Sequence, residues 1–229
     1  MAAATLLTGV APVIAREILD GTMQPGDILS LAGLQERFSI SRTVARDVMR
    51  LLETVGFLSS SRRVGLVVQP ASRWHVLDPL VIEWRLAGEG REAQLRSLTE
   101  LRAAVEPLAA AAAARNASLD QRARLQQLAA TLRLTGDSGD QVAFLEADVE
   151  FHSLLLTASA NELFASLSPA FAATLTGRVT YGLMPTHPLP DALAAHSAVA
   201  SAVAGGFSTD AFDAMVGLLS SMRAELFGI

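Results

Sequence analysis

Arginine side chains recur along one short helical segment near the start of the chain. Arg42, Arg46 and Arg50 stand four residues apart, and Thr43 shares their face, opposite the apolar positions of the segment. A guanidinium group can place two parallel donors on the acceptors of guanine in the major groove, or it can hold a phosphate. The segment therefore indicates either a DNA-reading helix or a solvated amphipathic helix.

Arg102 is a further arginine that could bind a ligand. It lies in the middle of a long helical segment otherwise rich in Leu, Ala and Val. An unpaired charge in such surroundings would be costly, so Arg102 requires a partner. Glu106 at i+4 could form an intramolecular ion pair, or the planar guanidinium could grip the carboxylate of a small effector. The residues alone leave both options open. Arg178 and Asn161 are further candidates for binding the same effector.

The elements that must position the arginine face follow the order helix, helix, turn, helix, hairpin. Ile14, Ile18 and Leu19 keep the apolar spacing of a first helix, which Gly21 ends. The same spacing predicts a second helix over Leu31–Phe38 and a third over Arg42 to about Thr54, with Ser41 as its N-cap. Two apolar segments within residues 57–68 flank a polar turn and predict a β-hairpin. Its tip carries Arg62 and Arg63, followed by Gly65. This order is typical of a winged helix-turn-helix, and it favours DNA binding over a solvated helix.

The remainder of the chain lacks strand alternation. After a predicted linker at residues 70–78, apolar residues recur at three- and four-residue spacing. We therefore expect a mainly α protein: a winged helix-turn-helix over residues 1–69, then an all-α helical-bundle domain over residues 79–229. Glycine and proline signals predict loops at residues 136–139 and 185–190 within that domain.

Composition excludes several classes of protein. The chain has no cysteine, which removes disulfides, thiolate metal sites and cysteine nucleophiles. No apolar run approaches the ~18 residues that span a bilayer, and no basic cluster precedes the first apolar stretch, so we expect a cytoplasmic protein. The net charge is −5, but residues 1–70 hold seven arginines against six acidic residues. Because attraction to phosphate is local, such a chain can still bind DNA.

The N-terminal motifs resemble those of a known family. The motifs are Gly21-x-x-x-Pro25-Gly26, Ser41-Arg42-Thr43-x-x-Arg46, Leu51 and a hydrophobic hairpin with Gly65, and they resemble the DNA-binding domain of GntR-family bacterial regulators. The resemblance implies DNA contact by Ser41, Arg42, Thr43, Arg46 and Gly65. The arginine face and the hairpin tip add Arg50 and Arg63 to these candidates. Val44 and Ala32 depart from residues common in the family, which leaves room for a different operator.

The resemblance extends over the C-terminal domain. Arg102-x-x-x-Glu106, Asp148-x-x-x-His152 with Phe151, Asn161 and His196 resemble the FadR-like subgroup, whose effector domain, the FCD domain, is a helical bundle. Many members bind a divalent metal through an Asp, a His four residues later and two further histidines.

In this chain the resemblance implies three metal ligands. Asp148 and His152 lie at i and i+4 on one helix face, and His196 stands where the third ligand is expected. The position expected for the fourth holds Leu218. Three ligands with water could hold zinc, nickel or manganese. Alternatively, these polar groups are hydrogen-bonded core residues, and the cavity that they would line binds an organic anion directly, without a metal.

The segment after the hairpin refines the expected effector. Trp74-x-x-Leu77-Asp78-x-x-Val81-x-x-Trp84 resembles the members that respond to sugar acids such as galactonate or gluconate. We therefore predict a homodimeric repressor that a small carboxylate releases from a palindromic DNA operator. The alternatives are a metal-dependent enzyme built on Asp148, His152 and His196, and a regulator that the effector turns into an activator.

Overall fold

The computed structural model describes residues 2–61, 65–188 and 190–228. These residues form two units, divided between Glu92 and Ala93, and each unit has its own apolar core. Among the described residues, no helix has the length and apolar character needed to cross a membrane. The predicted mainly α fold, with a winged helix-turn-helix followed by a helical domain, is confirmed.

The first unit contains the elements predicted around the arginine face. Its helices and strands are α1 (Ala2–Leu19), β1 (Ile28–Leu29), α2 (Leu31–Phe38), α3 (Arg42–Thr54), β2 (Leu58–Ser61), β3 (Gly65–Val68) and α4 (Pro79–Leu86). Helix α3 begins where Ser41 Oγ accepts a hydrogen bond from the backbone N–H of Val44 at 3.3 Å, as an N-cap serine should. Val48 and Leu52 on its inner face are fully buried, and this burial holds α3 in the unit.

The three strands form one antiparallel sheet in the order β1-β3-β2. β2 and β3 make the predicted hairpin, with Leu58 opposite Val68 and Ser61 opposite Gly65. β1 adds a third strand on the other side of β3. The sequence did not predict β1, because two residues are too few to display strand alternation.

The segment that follows the hairpin packs against it. The indole N–H of Trp74 donates to the carbonyl of Gln69 at 3.1 Å, and its ring centroid lies 4.8 Å from that of Phe57. Trp84 in α4 contacts the same Phe57 ring, at 5.8 Å. Residues 70–92 therefore lie within the first unit, whereas the sequence prediction began the second domain at residue 79.

The second unit is helical throughout its regular elements. They are α5 (Arg91–Asn116, which begins at the end of the first unit), α6 (Leu119–Ser138), α7 (Gln141–Ala158), α8 (Glu162–Ala165), α9 (Ser168–Thr180), α10 (Pro190–Gly205) and α11 (Ser208–Phe227). Helix α10 packs against α6 and α11, and α7 packs against α6 and α9. The buried residues Leu125, Phe151 and Met215 lie in the resulting core.

One loop prediction in this unit is wrong. Residues 136–138 are the last turn of α6, and only Gly139, at φ 74°, leaves the helix. Gly136 is buried, and a Cβ there would lie 2.8 Å from a methyl group of Leu193. Gly136 thus serves close helix packing and not a turn. Of the other predicted loop, residues 185–188 lie in a segment without helix or strand, residues 181–188, whereas Pro190 already begins α10.

Candidate functional site

The predicted DNA-reading side chains lie together on the outer face of α3. Ser41, Arg42, Thr43, Arg46 and Arg50 are all exposed, whereas the opposite face is buried. Residues at the N-terminal end of such a helix are those that meet base edges in the major groove.

One of these arginines has an acidic neighbour. The guanidinium of Arg50 lies 4.0 Å from the carboxylate of Asp47, and both side chains are largely exposed. An exposed pair at this distance is weak. Arg50 therefore remains able to contact a phosphate.

The hairpin presents Gly65 at the start of β3. Its φ of 116° lies in the region that favours glycine, and a Cβ would meet the carbonyl oxygen of Leu29 at 3.4 Å. The backbone N–H of Ser60 donates to the carboxylate of Glu53 at 3.0 Å, which fixes β2 to the end of α3. Arg62 and Arg63, predicted at the tip, lie outside the described residues.

A cavity of about 50 Å³ in the second unit collects most of the predicted effector residues. Arg102 reaches it from α5, Asp148 and His152 from α7, Arg178 from α9 and His196 from α10. Its other walls are formed mainly by apolar residues: Phe144, Leu175, Met184, Pro185, Pro188, Ala192, Leu218, Leu219 and Met222. The position expected for a fourth metal ligand, Leu218, is thus an apolar part of the same wall.

Asn161 is not among the residues that line this cavity. Its side-chain oxygen accepts hydrogen bonds from the backbone N–H groups of Leu163 and Phe164, at 3.0 and 3.4 Å. In the structure Asn161 therefore caps helix α8.

Arg102 forms the intramolecular ion pair that the sequence left as one of two options. Its Nε donates to Glu106 Oε1 at 2.5 Å and its Nη2 to Oε2 at 3.4 Å, and both side chains are buried. The remaining nitrogen, Nη1, lies 3.5 Å from the thioether sulfur of Met222, a weak acceptor. The Nε and Nη2 edge of the guanidinium is therefore paired with Glu106, and Nη1 can still donate a hydrogen bond at the cavity.

The two histidines of the cavity have defined orientations. His152 Nδ1 lies 2.6 Å from Glu106 Oε2, and His196 Nδ1 lies 2.8 Å from the carbonyl oxygen of Ala192. Carboxylate and carbonyl oxygens accept only, so each Nδ1 carries a proton. In a neutral histidine, Nε2 then has a lone pair.

Both Nε2 atoms converge on one carboxylate. Asp148 Oδ1 lies 3.3 Å from Nε2 of His152 and 3.3 Å from Nε2 of His196. With both histidines neutral, the lone pairs of Asp148 Oδ1 and of the two Nε2 atoms would face one another. Because these lone pairs repel, the arrangement requires a positive charge among the three atoms. Nη2 of Arg102, 3.2 Å from His152 Nε2, supplies part of it. A proton on a histidine or a bound cation would supply the rest.

The electrostatics of the cluster agree with this requirement. Burial would raise the pKa of Glu106, but Arg102 and His152 lower it to about 2. Burial likewise opposes ionisation of Asp148, yet its pKa is held well below the ordinary value, because His152 and His196 in their protonated forms donate hydrogen bonds to the carboxylate and attract its charge. For His152, burial favours the neutral form, and Glu106 more than offsets it, so its pKa is raised. Both acids are therefore ionised at neutral pH, and the cluster attracts cations.

Some lining residues escaped sequence reasoning. Phe144 stands four residues before Asp148, and Met222 four residues after Leu218, so the helical period could have identified both. Pro185 and Pro188 belong to the irregular segment 181–188, for which no period exists.

Comparison with known proteins agrees with both units. Residues 7–68 match the family described as bacterial regulatory proteins of the gntR family, and residues 97–221 match the FCD domain. The chain belongs to the GntR family of bacterial regulators and carries an FCD domain. It is thus a transcriptional regulator with a DNA-binding helix-turn-helix and an effector-binding domain, as predicted, and the metalloenzyme alternative is set aside.

Individual relatives cover most of this GntR-family regulator. An uncharacterised HTH-type transcriptional regulator of Escherichia coli, YieP, is 28% identical over 93% of this chain and 91% of its own length. The galactonate operon transcriptional repressor of the same organism is 30% identical over 69% of each chain. Among solved structures, a GntR protein of Streptococcus agalactiae superposes with a TM-score of 0.52 at 26% identity, covering 95% of this chain and 98% of that one.

Proposed function

We propose that this regulator is a cytoplasmic homodimeric repressor, released from its operator when a small sugar-acid-like carboxylate binds in the FCD cavity beside a divalent metal ion. Asp148, His152 and His196 would hold the metal. The observation that carries the proposal is the convergence of one buried carboxylate oxygen and two histidine Nε2 atoms on one point.

The donor set suits a divalent ion such as zinc, nickel or manganese. Ligands bound at about 2.0–2.1 Å in a tetrahedral shell lie about 3.3 Å apart, which equals both distances from Asp148 Oδ1 to the histidines. Each histidine also donates its other N–H to an oxygen, the outer-shell contact that orients metal-bound histidines. Leu218 offers no donor, so water or an effector oxygen would complete the shell.

Charge explains why such a site would take an anion. Arg102, Glu106 and Asp148 together carry one net negative charge when the histidines are neutral. A divalent ion would reverse the sign to one net positive charge in a buried cavity. A carboxylate effector would then be attracted to the metal, and it could accept a hydrogen bond from Arg102 Nη1 in a cavity that the cationic Arg178 also lines.

The size of the cavity connects binding with switching. About 50 Å³ holds a few water molecules but not a six-carbon acid. Entry of such an effector therefore requires the walls to separate, and the irregular segment 181–188 contributes Met184, Pro185 and Pro188 to them. A ligand that binds only the opened state shifts the protein toward it, as release from DNA requires.

On DNA, a dimer would place two α3 helices about one helical turn apart on a palindromic operator. Ser41, Arg42, Thr43, Arg46 and Gly65 would contact the DNA, with Arg50 and Arg63 on its phosphates. The galactonate operon repressor among the relatives supports both repression and the sugar-acid class of effector.

The test is fluorescence anisotropy of the protein on duplex DNA from upstream of its own gene, with a panel of hexonates and simple carboxylates. We expect salt-dependent, sequence-selective binding to DNA, and one hexonate should weaken it. In the presence of EDTA, the same hexonate should no longer change the DNA affinity. Sensitivity that survives EDTA and persists in H152A would contradict the metal. If the protein binds several upstream and intergenic fragments no more tightly than random DNA, its proposed role as a repressor is contradicted.

A further inference from the structure

A second cavity lies entirely within the first unit. It has a volume of about 410 Å³, within the range of small-molecule sites, and it is much larger than the cavity beside His152. Arg16, Leu19 and Asp20 approach it from the end of α1, Trp84 and Arg85 from α4. The proposed function uses none of these residues.

Arg85 is the unusual residue of this cavity. Its side chain is half-buried, and among the described residues the guanidinium has no hydrogen-bond or ion-pair partner. Burial lowers the pKa of Arg85, and no acidic group offsets that effect. A partly desolvated cation without a counterion is unfavourable, and an anion beside it would gain charge-assisted hydrogen bonds.

The rest of the wall combines aromatic surface with solvated charge. Trp74 and Trp84 line the cavity together with Leu19, and they offer apolar area to a planar ligand. Arg16 donates to the carbonyl of Ala87 at 3.3 Å and is exposed.

Two carboxylates also border the cavity, Asp20 and Glu89. Both are exposed, and Asp20 accepts a hydrogen bond from the backbone N–H of Thr22 at 3.0 Å. Water screens exposed charges strongly. The half-buried guanidinium of Arg85 therefore dominates the choice of ligand over these two acids.

We propose that this cavity is a second ligand site, in the DNA-binding unit, for a small aromatic monocarboxylate. Its ring lies against Trp74 and Trp84, and its carboxylate pairs with Arg85. The site is separate from the FCD cavity and does not depend on the function proposed for that cavity.

The chain offers a direct reporter, because its only two tryptophans both line this cavity. The probe is benzoate, and the readout is the pair of tryptophan indole N–H signals in a ¹H–¹⁵N correlation spectrum of the full-length protein. We expect benzoate to shift both signals saturably, and the neutral benzamide and the cationic benzylamine to bind at least tenfold more weakly. Equal binding of either comparison compound, or no shift with benzoate, overturns the proposal.

Variants separate the role of Arg85 from general effects of charge. R85Q should weaken benzoate binding at least tenfold, as loss of a charge-assisted contact implies. R73Q is the matched control, because Arg73 is exposed, adjoins Trp74 in the sequence and does not line the cavity. Unchanged affinity in R85Q overturns the proposal. Indole signals that move with protein concentration alone would assign the cavity to a second copy of the chain and also overturn it.

Discussion

His152 Nδ1 and Glu106 Oε2 lie 2.6 Å apart, and this contact joins helix α7 to helix α5 in the interior of the effector domain. The same carboxylate accepts from Arg102 through its other oxygen. Glu106 therefore has two tasks at once: it neutralises a buried guanidinium and fixes the ring of a predicted metal ligand. Removal of Glu106 would leave the guanidinium of Arg102 buried without its carboxylate partner.

Loss of Glu106 should destabilise the metal-free protein in a pH-dependent way. The pKa of Glu106 is about 2, below its ordinary value of 4.5, so its contribution is complete above pH 4.5 and is lost as the pH falls toward 2. In EDTA, E106Q should lower the free energy of unfolding by roughly 3 kcal/mol at pH 7. The difference from wild type should shrink below pH 4.5, as followed by circular dichroism in urea.

An exposed carboxylate serves as the control for this variant. Glu150, on the same helix as His152, pairs with Arg124 at the surface. E150Q should be hard to distinguish from wild type, since solvent screens such pairs. A stability deficit in E106Q that stayed constant from pH 7 to pH 2 would mean that packing and not charge explains it.

A histidine at position 218 should strengthen metal binding. Leu218 lines the cavity that contains Asp148, His152 and His196. L218H should bind zinc at least tenfold more tightly in competition with a chelating dye, because a fourth protein ligand replaces water. L134H, which adds a histidine at a largely exposed site on α6, should leave the affinity unchanged. Equal zinc affinity in a folded L218H would place the metal elsewhere.

The elements were predictable from sequence where local signals determine them, and the site only in part. Ser41 caps α3 and the apolar stripe of α3 is buried because capping and periodicity act within one helix. The role of Asn161 was not foreseen, since a helix cap and an effector ligand use the same amide oxygen. The closure of the cavity by Pro185 and Pro188 depends on tertiary packing of an irregular segment. No periodic pattern encodes it.

Arg46 should carry a large share of the DNA affinity. It is exposed on the outer face of α3, where a guanidinium can reach base edges or phosphates. R46A should weaken operator binding by a factor of ten or more, with effector binding intact. R133A is the control, because Arg133 is an exposed arginine in the other unit. Equal operator affinity of R46A and R133A in anisotropy titrations would show that α3 is not the reading helix.

Arg122 joins the ends of two helices in the effector domain. Its Nη1 lies 2.8 Å from the carbonyl oxygen of Val203 and 2.9 Å from that of Ala204, near the end of α10. Its Nη2 and Nε donate to the carbonyls of Ala114 and Ala117 at the end of α5, at 2.8 and 3.0 Å. Carbonyls at a helix C-terminus lack intrahelical partners and carry partial negative charge. One cation therefore satisfies four such acceptors.

R122Q should consequently destabilise the effector domain without touching the cavity. The loss of charge-assisted hydrogen bonds at two helix ends should lower the free energy of unfolding by roughly 2–4 kcal/mol. R124Q is the matched control two residues along α6, where Arg124 pairs only at the surface and its loss should be negligible. Thermal unfolding followed by circular dichroism, with zinc affinity measured on the same samples, checks both variants. Equal melting temperatures for R122Q and R124Q would mean that water replaces the guanidinium at these carbonyls at no cost, so that packing of α5 against its neighbours alone holds the two helix ends in place.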